Sequence, residues 1–204
     1  MSKFFKKFLK VITDFAMAEP HGLEALDYNM EELCEQATKG DPKAQYSLGL
    51  AYLSGHYFRK DEETGLKWLV LSANQYYVPA ESKLSQILLS DAAKHPKSEL
   101  AEQIANWAEN AAYRNDSSAK GVWGYMLLEG IGTESKPKEA IHFLKQAADE
   151  GIVKAQYLMG TLYNEGKKVE RNVSIATQYL EASSQKGYEP ASRLLEEIKK
   201  GQKD

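Results

Sequence analysis

The side chains able to transfer protons, attack a carbonyl or hold a metal are few and scattered. The four histidines, His21, His56, His95 and His142, fall in four separate stretches. None pairs with another one helical turn away, and no His-Glu-x-x-His run occurs, so the arrangement that grips zinc on one helix face is missing. Cys34 is the single cysteine, which rules out a disulfide within the chain and leaves any metal site to histidine and carboxylate. It sits in the apolar stretch 30–37 with no neighbour that would lower its pKa, a setting for packing rather than attack. The run Gly130-Ile131-Gly132-Thr133-Glu134-Ser135 superficially resembles a phosphate loop. Such a loop follows a strand and carries Gly-Lys-Ser/Thr or a third glycine, whereas this one follows a helical pattern and reads as a turn. Asn115 and Asn172 open Asn-x-Ser triplets that suit helix starts as well as they suit glycosylation of an exported protein. The chain is therefore expected to be no enzyme, with no cofactor and no metal.

Composition narrows the field further. Of 204 residues, 43% are hydrophobic and 27% charged, with a net charge of −3. That is enough apolar material for a core and too little net charge for disorder. The strongly basic domain of a nucleic-acid binder is also missing, so no nucleic-acid partner is expected.

The elements that position side chains come from a repeated phrase. Its clearest copies are residues 44–52 (AQYSLGLAY) and 155–163 (AQYLMGTLY); a degenerate copy starts at Ala119, and fainter ones start at Ala80 and Ala191. Successive alanines stand 36, 39, 36 and 36 residues apart, the period of a solenoid of stacked helical hairpins. Each copy opens a helix A. Before the first copy, Asp41 and Pro42 supply an N-cap and a first-turn proline, and Gly55 supplies a stop. A helix B follows, with an aromatic residue 24 positions and a small residue 29 positions after the alanine: Trp68 and Ala73, Phe143 and Ala148, Tyr179 and Ser184. Small residues let two helices approach, and the aromatic fills the space between hairpins.

The copy from Ala80 is the poor one. Ser85 replaces the glycine of the phrase, Asp91 replaces the interhelical glycine, and three extra residues fall around 94–98. With that insertion allowed, Trp107 and Ala112 return to register. The extended loop 91–98 is thereby a candidate for specificity. His56 and His95 lie in the links of adjacent copies and can share one edge, yet no orienting carboxylate stands at a recognisable spacing. At the ends, residues 22–40, with Leu23, Leu26, Met30, Leu33 and Ala37, read as a capping half-repeat stopped by Gly40. After Gly187 a last helix A, with Glu196 where the glycine belongs, has no helix B and reads as a polar cap, followed by a tail over 199–204.

The phrase Ala-x3-Leu-Gly-x2-Tyr-x2-Gly, followed by Ala-x2-aromatic-x3-Ala-Ala-x2-Gly, resembles the Sel1-like repeat, a relative of the tetratricopeptide repeat. It is clearest over residues 119–151, including Gly130, Gly132 and Ala140, and recurs over 44–73 and 155–187. The resemblance implies an all-α, right-handed α-solenoid of antiparallel helix pairs over residues 41–198. Its repeats start near 41, 77, 116 and 152, with a terminal half-repeat from 188. It also implies an adaptor for protein–protein interaction whose A helices line the concave face. A cysteine-rich branch of the family, which includes proteins acting on β-lactams, carries two cysteines per repeat, and the lone Cys34 departs from it. Bacterial relatives also include exported factors and immunity proteins for secreted toxins.

Residues 1–20 stand apart. Phe4, Phe8, Val11, Ile12 and Phe15 follow helical spacing, with Lys3, Lys6, Lys7 and Lys10 on the complementary face. Three readings of this basic amphipathic helix stay open. It can dock on the solenoid, it can lie through residues 1–18 at a membrane surface or in a partner's groove, or it can be an imperfect export signal interrupted by Lys10 and Asp14. It is too short and too charged to span a bilayer. A cytoplasmic location is expected, with export as the alternative.

If Leu48, Gly49 and Tyr52 face helix B, the positions 2, 6 and 9 residues after each repeat alanine face the groove. They read Tyr46, Leu50 and Leu53; Ser82, Gln86 and Leu89; Gly121, Tyr125 and Leu128; Tyr157, Thr161 and Asn164. Tyrosine and leucine at such offsets suit an interface, so a protein or peptide partner is expected there. A concave side that is partly core is the alternative.

Overall fold

Several helices of this chain start where a side chain can take up the free amides of the first turn. Asp41, Asp61, Ser98, Asp116 and Asn172 each accept a hydrogen bond from the backbone three residues on, a cap worth about 1 kcal/mol. The computed structural model describes residues 28–201. The basic segment 1–20, Leu23, Leu26 and residues 202–204 lie outside the described residues.

The helices are α1 (Tyr28–Thr38), α2 (Pro42–Ser54), α3 (Glu62–Ala73), α4 (Val78–Lys94), α5 (Glu99–Tyr113), α6 (Ser117–Glu129), α7 (Pro137–Asp149), α8 (Val153–Glu165), α9 (Val173–Gln185) and α10 (Glu189–Gly201). No strand occurs among the described residues. The A helices α2, α4, α6 and α8 pack most heavily on the B helices that follow them, α3, α5, α7 and α9. Each B helix then packs on the next A helix, with α1 and α10 at the two ends, and α4 also touches α6 directly. This is an all-α solenoid of antiparallel helix pairs. Between repeats the chain turns through a residue of positive φ: Gly40, Tyr76, Asn115, Gly151 and Gly187.

Inside three of the four hairpins the phrase's glycine is the seat of a leucine. A Cβ built on Gly49 would stand 2.9 Å from Leu69 Cγ; on Gly124, 2.7 Å from Leu144 Cγ; on Gly160, 2.6 Å from Leu180 Cγ. All three leucines are fully buried, one residue after the aromatic of helix B. In the α4–α5 hairpin the corresponding pair is Ser85 and Ala108, also fully buried, and the Ser85 hydroxyl donates to Ser82 O. A larger residue on helix A is matched there by a smaller one on helix B, as close packing requires.

The structure corrects the reading of the insertion. Helix α4 has 17 residues where α2, α6 and α8 have 13, so the extra residues form a further turn of helix. Only residues 95–98 remain as a link, and they are docked rather than free. The Gly132 amide donates to Pro96 O at 2.7 Å. Gly132 has φ +66, and a Cβ there would lie 2.1 Å from Ala101 O. In place of a long specificity loop, the second and third repeats share a clip.

Candidate binding face

Successive A helices meet along a row of side-chain pairs, each joining the residue two after one repeat alanine to the residue three before the next. Tyr46 meets Tyr77 edge-on, with ring centroids 5.6 Å apart. The Ser82 hydroxyl donates to Asp116 Oδ1 at 2.7 Å. Tyr157 meets Tyr188 edge-on at 5.2 Å. The remaining pair is Gly121 and Ile152, and there helix A contributes no side chain.

Beside Gly121 the seam opens into a cavity of about 470 Å³, within the size range of small-ligand pockets. Gln86 and Leu89 of α4, Tyr125 of α6, Tyr157 and Leu158 of α8, and Tyr188 ahead of α10 bound it, with Lys154 at its rim. Four of the groove positions read from the sequence therefore converge with Gly121: Gln86, Leu89, Tyr125 and Tyr157.

Other positions fall elsewhere. Leu50 and Leu53 line a separate cleft of about 690 Å³ with Met30, Leu33, Tyr57 and Lys83. Tyr46 lies half-buried, and burial, with Tyr77 and Asp116 nearby, raises its phenol above the usual range. Leu128 is 3% exposed and belongs to the core; its carbonyl accepts from Ser135 Oγ at 3.0 Å and Lys168 Nζ at 3.1 Å. At that point the concave side is core. The Thr161 hydroxyl donates to Tyr157 O, and Asn164 O accepts from Arg171 Nε, both at 3.0 Å; neither residue lines the two cavities.

The groups weighed for chemistry are dispersed. His56 packs edge-on against Tyr57, and His142 faces Gln146. Cys34 is 4% exposed, and burial pushes its thiol up. Among the described residues no three His, Cys, Asp or Glu side chains converge as metal ligands would. No helix among them is long and apolar enough to cross a membrane.

A polar column not anticipated from the repeat pattern stands one residue after each repeat alanine: Gln45, Glu81, Lys120 and Gln156, all buried. The amides of Gln45 and Gln156 donate to Ala37 O and Ala148 O of the preceding helix B at 3.2 and 3.1 Å. Glu81 accepts from Asn110 and stands 3.6 Å from the Arg114 guanidinium; burial nevertheless pushes its carboxyl above the ordinary range. The Lys120 ammonium donates to Asn115 and Glu150. A polar residue at the same place in four copies was the available signal.

The family model described as Sel1 repeat matches residues 42–77, 121–152 and 153–188, just over half of the chain. An uncharacterized protein of Neisseria meningitidis serogroup B is 26% identical over 153 residues, which are 75% of this chain and 31% of that protein. Chitin synthase regulatory factor 3 of Schizosaccharomyces pombe is 29% identical over 145 residues, 70% of this chain and 15% of that protein. The chain thus spans less than a third of either relative. The crystal structure of a protective antigen of uropathogenic Escherichia coli strains, displaying an SLR fold, superposes with a TM-score of 0.66 at 28% identity, covering 81% of this chain and 35% of the antigen. Built from the same hairpins and matched over most of its repeats, the chain belongs to the Sel1 repeat family.

Proposed function

We propose that the chain is a protein-interaction module that binds a peptide segment of a partner along its A-helix face, centred on the cavity between α4, α6 and α8. Sel1-repeat proteins are in general protein-interaction scaffolds. The cavity carries this reading: Tyr125, Tyr157 and Tyr188 stand beside Leu89 and Leu158, with Gln86 as a polar point. Broad aromatic area with polar tips is what interface anchors supply.

A random peptide library displayed against the full chain tests it. In Tyr125→Ala and Tyr157→Ala variants, selected peptides should bind about tenfold more weakly, the scale of an interface anchor, while helicity by circular dichroism is unchanged. Peptides indifferent to both substitutions but lost on replacing His142, exposed on α7, would move the binding face to the B helices.

A further inference from the structure

Resting on that reading, we propose that the cavity is a socket for one aromatic side chain, Phe or Tyr, carried by an acidic peptide segment. The row of pairs along the A-helix face points to it. Tyrosine fills the position two residues after the repeat alanine at Tyr46 and Tyr157, and each ring meets another edge-on. At Gly121 the same place is vacant and opens into the cavity. A ring entering there takes the position that the chain's own tyrosines take in two other repeats, in the edge-to-face geometry that aromatic rings favour.

Packing does not demand this glycine. A Cβ on Gly121 would find Ile152 Cγ2 at 3.5 Å, Ala147 Cβ at 3.6 Å and Ala155 Cβ at 3.8 Å, all ordinary contacts. Gly124, on the same helix, would meet Leu144 Cγ at 2.7 Å. Gly121 lies inside α6, where glycine weakens a helix relative to alanine. The chain keeps a destabilising residue where a side chain would fit, and what it obtains is the open socket.

Charge bears on the occupant. Among the described residues, Lys154 is the one Lys, Arg, Asp or Glu side chain lining the socket, Lys83 is the one lining the separate cleft, and no carboxylate lines either. That sign favours an acidic segment. It also disfavours the chain's own residues 1–20, whose phenylalanines come with Lys3, Lys6, Lys7 and Lys10.

The test titrates the full chain with hydrocinnamate, a ring bearing a carboxylate, and with phenylpropylamine, the same ring bearing an ammonium, followed by backbone-amide NMR. Hydrocinnamate should shift the amides of Tyr125, Lys154 and Tyr157, and the amine should bind about fivefold more weakly, the scale of a favourable surface ion pair. Gly121→Tyr, which completes the row, should abolish binding without lowering the thermal midpoint. Gly121→Leu should block in the same way, and Gly121→Ala should still bind. Equal binding of the two probes, undiminished binding to both blocking variants, or no shift at all would overturn the socket. Library peptides that need Tyr125 and Tyr157 but contain no aromatic residue beside an acidic one would overturn it too, while leaving the groove standing; peptides that need neither tyrosine would remove the groove as well.

Discussion

Three hairpins of this solenoid seat a leucine of helix B on a glycine of helix A, while the α4–α5 hairpin has Ser85 and Ala108, both fully buried, at the two corresponding places. The volume lost at Ala108 returns one helical turn earlier. Ile104, fully buried, stands where the other B helices have Gly65, Ala140 and Ala176. What repeats along the chain is therefore complementarity of size across the seam, and residue identity is one way to achieve it. The family model passes over residues 78–120, yet the helices continue through them without a break.

The strongest challenge to this comparison is at the clip that accommodates the odd hairpin. Gly132→Ala would drive a Cβ into the Ala101 carbonyl at a backbone angle that disfavours side chains, and should cost more than about 3 kcal/mol in urea unfolding. A cost under about 1 kcal/mol would show that the α4–α5 hairpin gives way easily and is no fixed alternative to its neighbours.

Next in size is an attempt to convert one solution into the other. Leu144→Ala alone should cost about 2–5 kcal/mol by leaving a cavity. Gly124→Ser alone should cost about 1–3 kcal/mol by overpacking against Leu144. Combined, they rebuild the serine–alanine pair, and the double variant should be more stable than the sum of the two by about 1 kcal/mol or more. Strict additivity would mean that the two seams are unrelated.

The smallest effect concerns the polar column, where Glu81 of the odd repeat stands in the place of Gln45 and Gln156. Burial raises the Glu81 carboxyl, so the folded chain holds that proton more tightly than the unfolded chain does. This contribution is present at low pH and is lost as pH rises from the ordinary value of 4.5 through the raised one. Glu81→Gln should flatten the pH dependence of stability in that window and change stability at pH 7 by no more than about 1 kcal/mol. An unchanged slope would assign the titration to other groups.

Much of the frame was legible because its signals are local. Asp41 with Pro42, Asp116 and Asn172 mark helix starts, and the regular alanines set the period. The leucines at 69, 144 and 180 were not singled out, since nothing near a buried leucine announces which glycine it will meet on another helix. The insertion reads as a loop because Asp91 takes the place of a glycine stop, yet Ala92, Ala93 and Lys94 continue a helix readily. Leu128 fits the groove spacing and is core because it belongs to the apolar cluster that also holds Met126, Leu127 and Ile131, while Ser135 and Lys168, 7 and 40 residues along the chain, bond its carbonyl. Gly121 was visible as a glycine in a tyrosine's place, but its vacancy depends on where Ile152 and Leu158 come to rest.

The close approach of Gly132 to Ala101 also sets the third repeat apart from the others. Thirteen residues after the repeat alanine, where the third repeat has Gly132, the first has Tyr57 and the fourth has Lys168. Either side chain, set against the second repeat, would collide with the Ala101 carbonyl that already leaves no room for a methyl group. A solenoid unit contacts only its immediate neighbours. Here the third repeat meets the second through a glycine that the first and fourth repeats lack at that place, so these hairpins are alike in shape without being alike at every seam.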